Sequence, residues 1–339
     1  MSRKPSSIDV AKAAGVSQSM VSRAFTSGSS INDGKRAFIL AKAKELGYRP
    51  NIMARSMITN KSKIIGFVFG YLENQYYPLA LEKLSREFQA KGYHSLMFFS
   101  DHQSSADEIV QEFLQYQVDA VILASVSLSP DWIDACQSFS VPVVLFNRAI
   151  DSDDVTSVTS TNYEGGKKVA HYLVQTGHQT ISYISGFTGS STNKDRERGL
   201  VDGLQENGLE PFSIERGDYC QKQARKATLA LFSKDKKHTP DALFVASDHM
   251  AFAVIDTLRY ELNLKVPEDV SVIGYDNVPL AAAPAYSLTT MNQSIDEMVS
   301  ITVKSVLDRI DVPTTPPEKI QITSDLVIRK SVKNVFTTK

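Results

Sequence analysis

The spacing of apolar residues changes character near residue 63. Before it, Val10, Ala11 and Ala14 recur at helical intervals over Ser7 to Ala14, and Gly15-Val16 interrupts the pattern ahead of Ser17, a good helix cap. Val21, Ala24 and Phe25 then form an i, i+3, i+4 stripe, predicting helix, tight turn, helix. A third helix is predicted from Asn32, its cap, to Leu46, stopping at Gly47 before Pro50. From Ile64 onward short apolar runs alternate with helical stretches: Ile64 to Phe69, Ser95 to Phe99, Ala120 to Ala124, Val141 to Phe146, Ile181 to Ile184, Ala242 to Val245 and Val270 to Ile273. Buried strands of this length separated by helices indicate parallel sheets with crossover connections.

The polar positions of the second helix add chemistry. Gln18, Ser19, Ser22 and Arg23 share the side opposite its apolar stripe, and arginine and glutamine are the side chains suited to guanine and adenine edges in a major groove. Charge points the same way. Residues 1 to 60 hold ten Lys or Arg against three Asp or Glu, a net of +7, whereas the remaining residues hold 27 against 35, a net of −8. A basic end on an acidic chain is the footprint of a module that meets phosphates. Solvated basic helices and a purely structural three-helix bundle are the competing readings of this segment.

With 42% hydrophobic residues the 339-residue chain can bury a substantial core, and its length allows two or three folding units. No apolar run approaches the roughly 18 to 20 residues of a membrane span, and Met-Ser-Arg-Lys-Pro-Ser-Ser leads into no secretory apolar stretch, so a cytoplasmic protein without membrane contact is expected. Cys136 and Cys220 have neither metal-site nor redox-pair spacing, Trp132 reads as packing, and His178 and His249 lack a metal-binding pattern. No Gly-x-Gly-x-x-Gly follows the first strand and no Gly-x-x-x-x-Gly-Lys occurs, which disfavours a classical dehydrogenase or NTPase; no metal or other cofactor is expected.

The run Ile8-Asp-Val-Ala-Lys-Ala-Ala-Gly-Val-Ser17, then Val21-Ser-Arg23 and Glu45-Leu-Gly-Tyr-Arg-Pro-Asn51, closely resembles the DNA-binding headpiece of the lactose and galactose repressor family. The resemblance implies that the second helix enters the major groove, with Ser17, Gln18, Ser19, Ser22 and Arg23 at the DNA. Asn51-Ile-Met-Ala-Arg-Ser-Met57 resembles the family's hinge helix, which orders on operator DNA, pairs with its dimer mate and wedges an apolar side chain into the minor groove. Asn51, Ala54, Arg55 and Met57 are the implied contacts; Met57 stands where the family usually has Leu.

The resemblance runs on through Gly165-Gly166, Gly177-His178, Asp195-Arg-Glu-Arg-Gly199, Val266 to Asp276, Leu288-Thr-Thr290 and Arg329-Lys-Ser331. It implies an α/β fold: a helix-turn-helix headpiece over 1–50, a hinge helix and linker over 51–62, and a periplasmic-binding-protein-like body over 63–339. The body is expected to consist of two doubly wound parallel-sheet subdomains, 63–161 with 292–323 and 162–291 with 324–339, the chain crossing between them three times. An effector then lies in the cleft, at the carboxyl ends of the strands. The family pattern implies effector contacts at Arg196 and Asp276, and at Asn74, Tyr76, Asn147, Tyr219 and Asp248. Gln75 replaces a usual Pro, Ser247 a usual Asn and Thr161 a usual Asp. Each of these residues also has a plain reading as an ion pair, cap or packing residue.

A sequence-specific regulator, expected to repress carbohydrate-utilisation genes under control of a sugar or sugar derivative, acting as a homodimer on near-palindromic double-stranded operator DNA, accounts for both halves of the chain. Two other classes remain open: a sugar-cleft enzyme using Asp248 and Asp276 as paired carboxylates, and a sugar-binding receptor with no role at DNA.

Overall fold

The computed structural model describes residues 5–26, 28–50, 61–70, 72–99, 112–113, 115–124, 138, 140–233 and 239–336. The hinge-helix residues Asn51, Ala54, Arg55 and Met57, together with Trp132 and Cys136, lie outside the described residues. The chain divides into a small unit over 1–62 and a large one over 63–339.

Among its described residues the small unit has three helices, each begun by a side-chain cap. In α1 (Ser7–Ala14) Ser6 and Asp9 form a reciprocal capping box, and Gly15 ends the helix at φ 64, the left-handed conformation glycine adopts without steric cost. Ser17 caps α2 (Gln18–Ala24) by accepting from the Met20 amide, and Asn32 caps α3 (Asp33–Glu45) by accepting from Gly34 and Lys35. Val10, Ala11, Val21, Ala24, Ile39 and Ala43 are buried together, with Phe25 edge-on to Tyr48 at 5.7 Å between ring centres.

The large unit holds two six-stranded sheets. The first has the order β11-β5-β4-β3-β1-β2, with β1 Ile64–Phe69, β2 His94–Phe99, β3 Ala120–Ala124, β4 Val143–Phe146, β5 Thr156–Ser160 and β11 Lys319–Ile322, every pair parallel. The second has the order β12-β10-β9-β8-β6-β7, with β6 Ile181–Ser185, β7 Ser213–Arg216, β8 Ala242–Val245, β9 Ser271–Asp276, β10 Thr289–Asn292 and β12 Asp325–Val327. Only β12 runs antiparallel to its neighbour there. The chain passes from one sheet to the other after β5, after β10 and between β11 and β12. Strands β1, β3, β4, β6, β8 and β9 are almost wholly buried, as strands covered by helices on both faces must be.

Helix α4 (Tyr76–Ala90) follows β1, and α9 (Ile295–Asp311) packs against it beside β4 and β5. In the second half α5 (Asn162–Gln175) and α6 (Ser191–Gln205) cross with their backbones nearly touching. A methyl on Gly199 would overlap the Tyr163 carbonyl oxygen, and one on Gly166 the Arg196 carbonyl oxygen. Both glycines are therefore the condition for that crossing rather than loop residues. Helices α7 (Gln221–Phe232) and α8 (Asp248–Asp256, continued by a π-helical turn over Thr257–Glu261) complete this layer. Among the described residues no helix is long and apolar enough to cross a membrane.

Candidate DNA face and effector cleft

On the small unit, Ser17, Gln18, Ser19, Ser22 and Arg23 are all exposed, while the alternate face of α2 supplies Val21 and Ala24 to the core. The 3.6-residue period separates these jobs: four consecutive polar positions would have spread round the helix, but 18, 19, 22 and 23 return to one side. Gln18 Nε2 donates to Ser7 Oγ at 3.0 Å and the Ser17 and Ser19 hydroxyls lie 2.9 Å apart. These are solvent-facing bonds between small polar groups, which base edges and phosphates can replace at little cost.

In the large unit β1 lies between β2 and β3, and β6 between β7 and β8, so each sheet has a point where successive connections turn to opposite sides. Ligands of open α/β sheets sit at the carboxyl ends of strands around such points. Asn74 and Tyr76 follow β1, Asn147 follows β4, and Asp276 closes β9. Asn74 Nδ2 donates to Asp276 Oδ2 at 3.1 Å, joining the two halves of the body, and Asn74 Oδ1 accepts from the Tyr76 amide at 3.0 Å. The Tyr76 hydroxyl donates to Met298 Sδ on α9, and its ring stacks on Phe146 at 6.2 Å, so this side chain is held as a wall.

Arg196 projects from α6 and is only 2% exposed. Its Nε donates to Asn162 Oδ1 at 2.8 Å, its Nη1 to the Ala246 carbonyl at 2.6 Å, and its guanidinium lies 3.5 Å from the centre of the Tyr275 ring. A fully buried guanidinium is tolerable only with such partners. The carboxylate of Asp276 accepts from Gln293 Nε2 at 2.5 Å as well as from Asn74. Burial outweighs Arg196, Asn74 and Gln293, all of which favour the anion, and lifts Asp276 to about 6. Tyr219 sits at φ 54 with its hydroxyl 3.3 Å from Thr192 Oγ1.

The geometry sets Asp248 apart. It is wholly buried at the start of α8; Oδ1 accepts from the Thr290 hydroxyl at 2.5 Å and Oδ2 from the Val278 amide at 3.0 Å, and any side chain at 274 would strike Oδ1. Its carboxylate thus grips the turn behind Asp276 from within its own half. Burial and the neighbouring Asp276 push it up to about 7.

Three residues that sequence reasoning missed belong to this constellation. Gln293 stands in the second crossover, where it links Asp276 to Ser160 Oγ, which donates to Gln293 Oε1 at 2.9 Å. Asn162 orients Arg196. Arg148, directly after Asn147, reaches Ser190 and Thr192 in the opposite half. The available signal was position alone: Gln293 immediately follows β10, and Arg148 stands two residues past the end of β4. A separate open cleft of about 610 Å³ lies to one side, lined by Glu73 and Gln75 from one half and Gln221, Arg225, His249 and Tyr286 from the other. Among the described residues no cluster of His, Cys, Asp and Glu has the arrangement of a metal site.

Comparison with known proteins agrees with both parts. Residues 8–51 match the model described as bacterial regulatory proteins, lacI family, and residues 170–332 the periplasmic binding protein-like domain. The chain is 30% identical over 333 residues to the HTH-type transcriptional repressor PurR of Mannheimia succiniciproducens, covering 96% of this chain and 98% of that one. Among solved structures it is similar to a transcriptional regulator CelR–cellobiose complex, at 25% identity and a TM-score of 0.74 over 96% of this chain and 99% of that one. The lac repressor dimer bound to operator and the anti-inducer ONPF has a TM-score of 0.87 at 23% identity, covering 98% and 100%, which extends the likeness of fold to the whole length. The exposed polar face on α2, the paired doubly wound sheets and these matches together place the chain in the lacI family of bacterial regulatory proteins, DNA-binding transcriptional repressors with a ligand-binding body.

Proposed function

We propose that the protein is a cytoplasmic homodimer that binds a near-palindromic operator, represses carbohydrate-utilisation genes, and changes its grip on DNA when a sugar or sugar derivative enters the cleft. The observation that carries the effector half is the Asn74–Asp276 bond between the two halves of the body, with buried Arg196 beside it. Polyols need several oriented donors and acceptors, and a guanidinium, a carboxylate and two amides supply them. Arg196, Asp276, Asn74 and Asn147 are assigned to the effector, Tyr76 and Tyr219 to the walls, and Asp248 to bracing the turn that carries Asp276. That bracing role also weakens the paired-carboxylate enzyme reading, because both oxygens of Asp248 are already engaged.

We assign DNA contact to Ser17, Gln18, Ser19, Ser22 and Arg23 and, on the family pattern, to Asn51, Ala54, Arg55 and Met57. The domain limits 1–50, 51–62 and 63–339 belong to the same proposal. A ligand that bridges the cleft favours one setting of the two halves, and any such preference must couple reciprocally to operator affinity. The test is an operator titration of the purified protein across a sugar and sugar-derivative panel, alongside a turnover assay. Specific operator binding that shifts with one compound is expected; turnover of that compound, or failure to discriminate operator from random DNA, would overturn the reading.

A further inference from the structure

We propose that Arg148 makes the cleft selective for an effector carrying an anionic group, a carboxylate or a phosphate, beside a hydroxyl; the inference rests on the effector reading above. Arg148 follows β4 in the first half of the body and is 7% exposed. Its Nη1 donates to Ser190 Oγ and, at 2.9 Å, to Thr192 Oγ1, at the start of α6 in the second half. The two hydroxyls lie 2.8 Å apart, and Ser190 Oγ also accepts from the Asn193 amide as the helix cap. The Tyr219 hydroxyl is 3.3 Å from Thr192 Oγ1, with its ring 5.9 Å from the Arg148 guanidinium. A guanidinium, three hydroxyls and the first turn of a 15-residue helix therefore converge where the halves meet.

The bonds from Nη1 run to neutral oxygens. A neutral sugar hydroxyl entering there exchanges one neutral acceptor for another. A carboxylate or phosphate oxygen instead adds an opposite charge to a bond whose donor is already cationic, so the contact gains the attraction of an ion pair in a buried site, and it gains from the helix N-terminus as well. The second observation is Asn147, the residue before Arg148. It is 3% exposed, and its Oδ1 has no hydrogen-bond partner among the described residues. A buried acceptor in that state calls for a donor, which a ligand hydroxyl provides. Uronic acids, aldonic acids and sugar phosphates share this pairing of anion and hydroxyl.

The experiment is isothermal titration of the full-length protein with a panel of neutral hexoses and pentoses, their uronic and aldonic acids, and their phosphates. At least one acid or phosphate is expected to bind about 30-fold or more tighter than its neutral parent, and the carboxylate and phosphate arms tell which anion is taken. R148M should bring the affinity for that compound down to the level of the parent, and R148K should retain part of it, with melting curves confirming that both fold. A neutral sugar that binds as tightly as its acid and phosphate, an R148M variant with unchanged affinity, or no binding by any acid or phosphate would overturn the proposal. Operator gel shifts on the same samples separate the two levels. A neutral sugar that alters operator binding and binds as tightly as its acid and phosphate leaves the regulator standing and ends the anion inference, whereas absence of specific operator binding removes the regulator itself.

Discussion

Replacing Gly199 by alanine tests whether the α5–α6 crossing holds the cleft's arginine in place. The added methyl would overlap the Tyr163 carbonyl oxygen and come within 3.1 Å of the Lys167 amide nitrogen, and neither is a side chain that can rotate away. The helices must separate. Overpacking of this kind costs about 3 kcal/mol, the upper end of its usual range, because backbone opposes the methyl. Alanine's better helix propensity offsets about 1 kcal/mol, leaving a net loss near 2 kcal/mol. For a unit of this size that corresponds to a fall of roughly 5 °C in Tm. The displacement also moves Arg196, three residues earlier on α6, relative to Asn162 on α5, whose side chains meet at 2.8 Å. Effector affinity is therefore expected to fall more than tenfold. Gly208→Ala serves as the control: its φ of 72 costs about 1 kcal/mol, but no atom lies within 4 Å and no cleft residue is disturbed. Calorimetric melting and ligand titration of both variants check this. A G199A protein that melts at or above the parent, or binds effector as well as G208A does, would refute the reasoning.

Arg23→Ala is expected to weaken cognate operator binding by about 1 to 3 kcal/mol per half-site and random-sequence binding far less, measured by competition gel shift; equal losses would make Arg23 a phosphate contact only. Asp276→Asn should leave operator affinity nearly unchanged without ligand while removing most of the ligand's effect on it, and an intact response would dismiss Asp276 as an effector contact. The two buried carboxyls give a pH signature. Their folded values, about 7 for Asp248 and about 6 for Asp276, lie above the ordinary 3.8, so the folded state binds more protons than the unfolded one between those limits. Stability should thus decline as pH rises from about 4 to 7, each group steepening the fall by up to about 1.4 kcal/mol per pH unit. Denaturant titrations should show a shallower decline for Asp248→Asn, and an unchanged slope would contradict the assignment.

What could be read along the chain, and what could not, follows from how each element is stabilised. The three helices of the small unit announce themselves because cap, stripe and stop agree: Ser17 before the Val21 stripe, Asn32 before α3, Gly15 after α1. Strands β1, β3, β4, β8 and β9 appear as apolar runs because both faces are covered. Strand β5, Thr-Ser-Val-Thr-Ser, is fully buried yet mostly polar, its identity set by neighbours on both edges rather than by composition. The short β7, β11 and β12 lie at sheet edges and are half-exposed, so no apolar run marks them. Arg196 and Asp276, which we propose as effector contacts, stand out in the sequence through the family motifs that carry them. Arg148 and Gln293 do not, because an Arg or Gln after a strand reads equally well as surface until the partner from the other half of the body is known.

The three crossings between sheets have a consequence for how the body is made. Residues 319–322 edge the first sheet and residues 325–327 the second, and eight residues later Val335 still donates its amide to the Thr176 carbonyl. The stretch 319–327 is thus a seam stitched into both halves. Neither half can close its sheet as a nascent chain, so the body becomes a finished ligand-binding unit only after synthesis of residues 319–327, and a protein truncated before them would lack an edge on both sides at once.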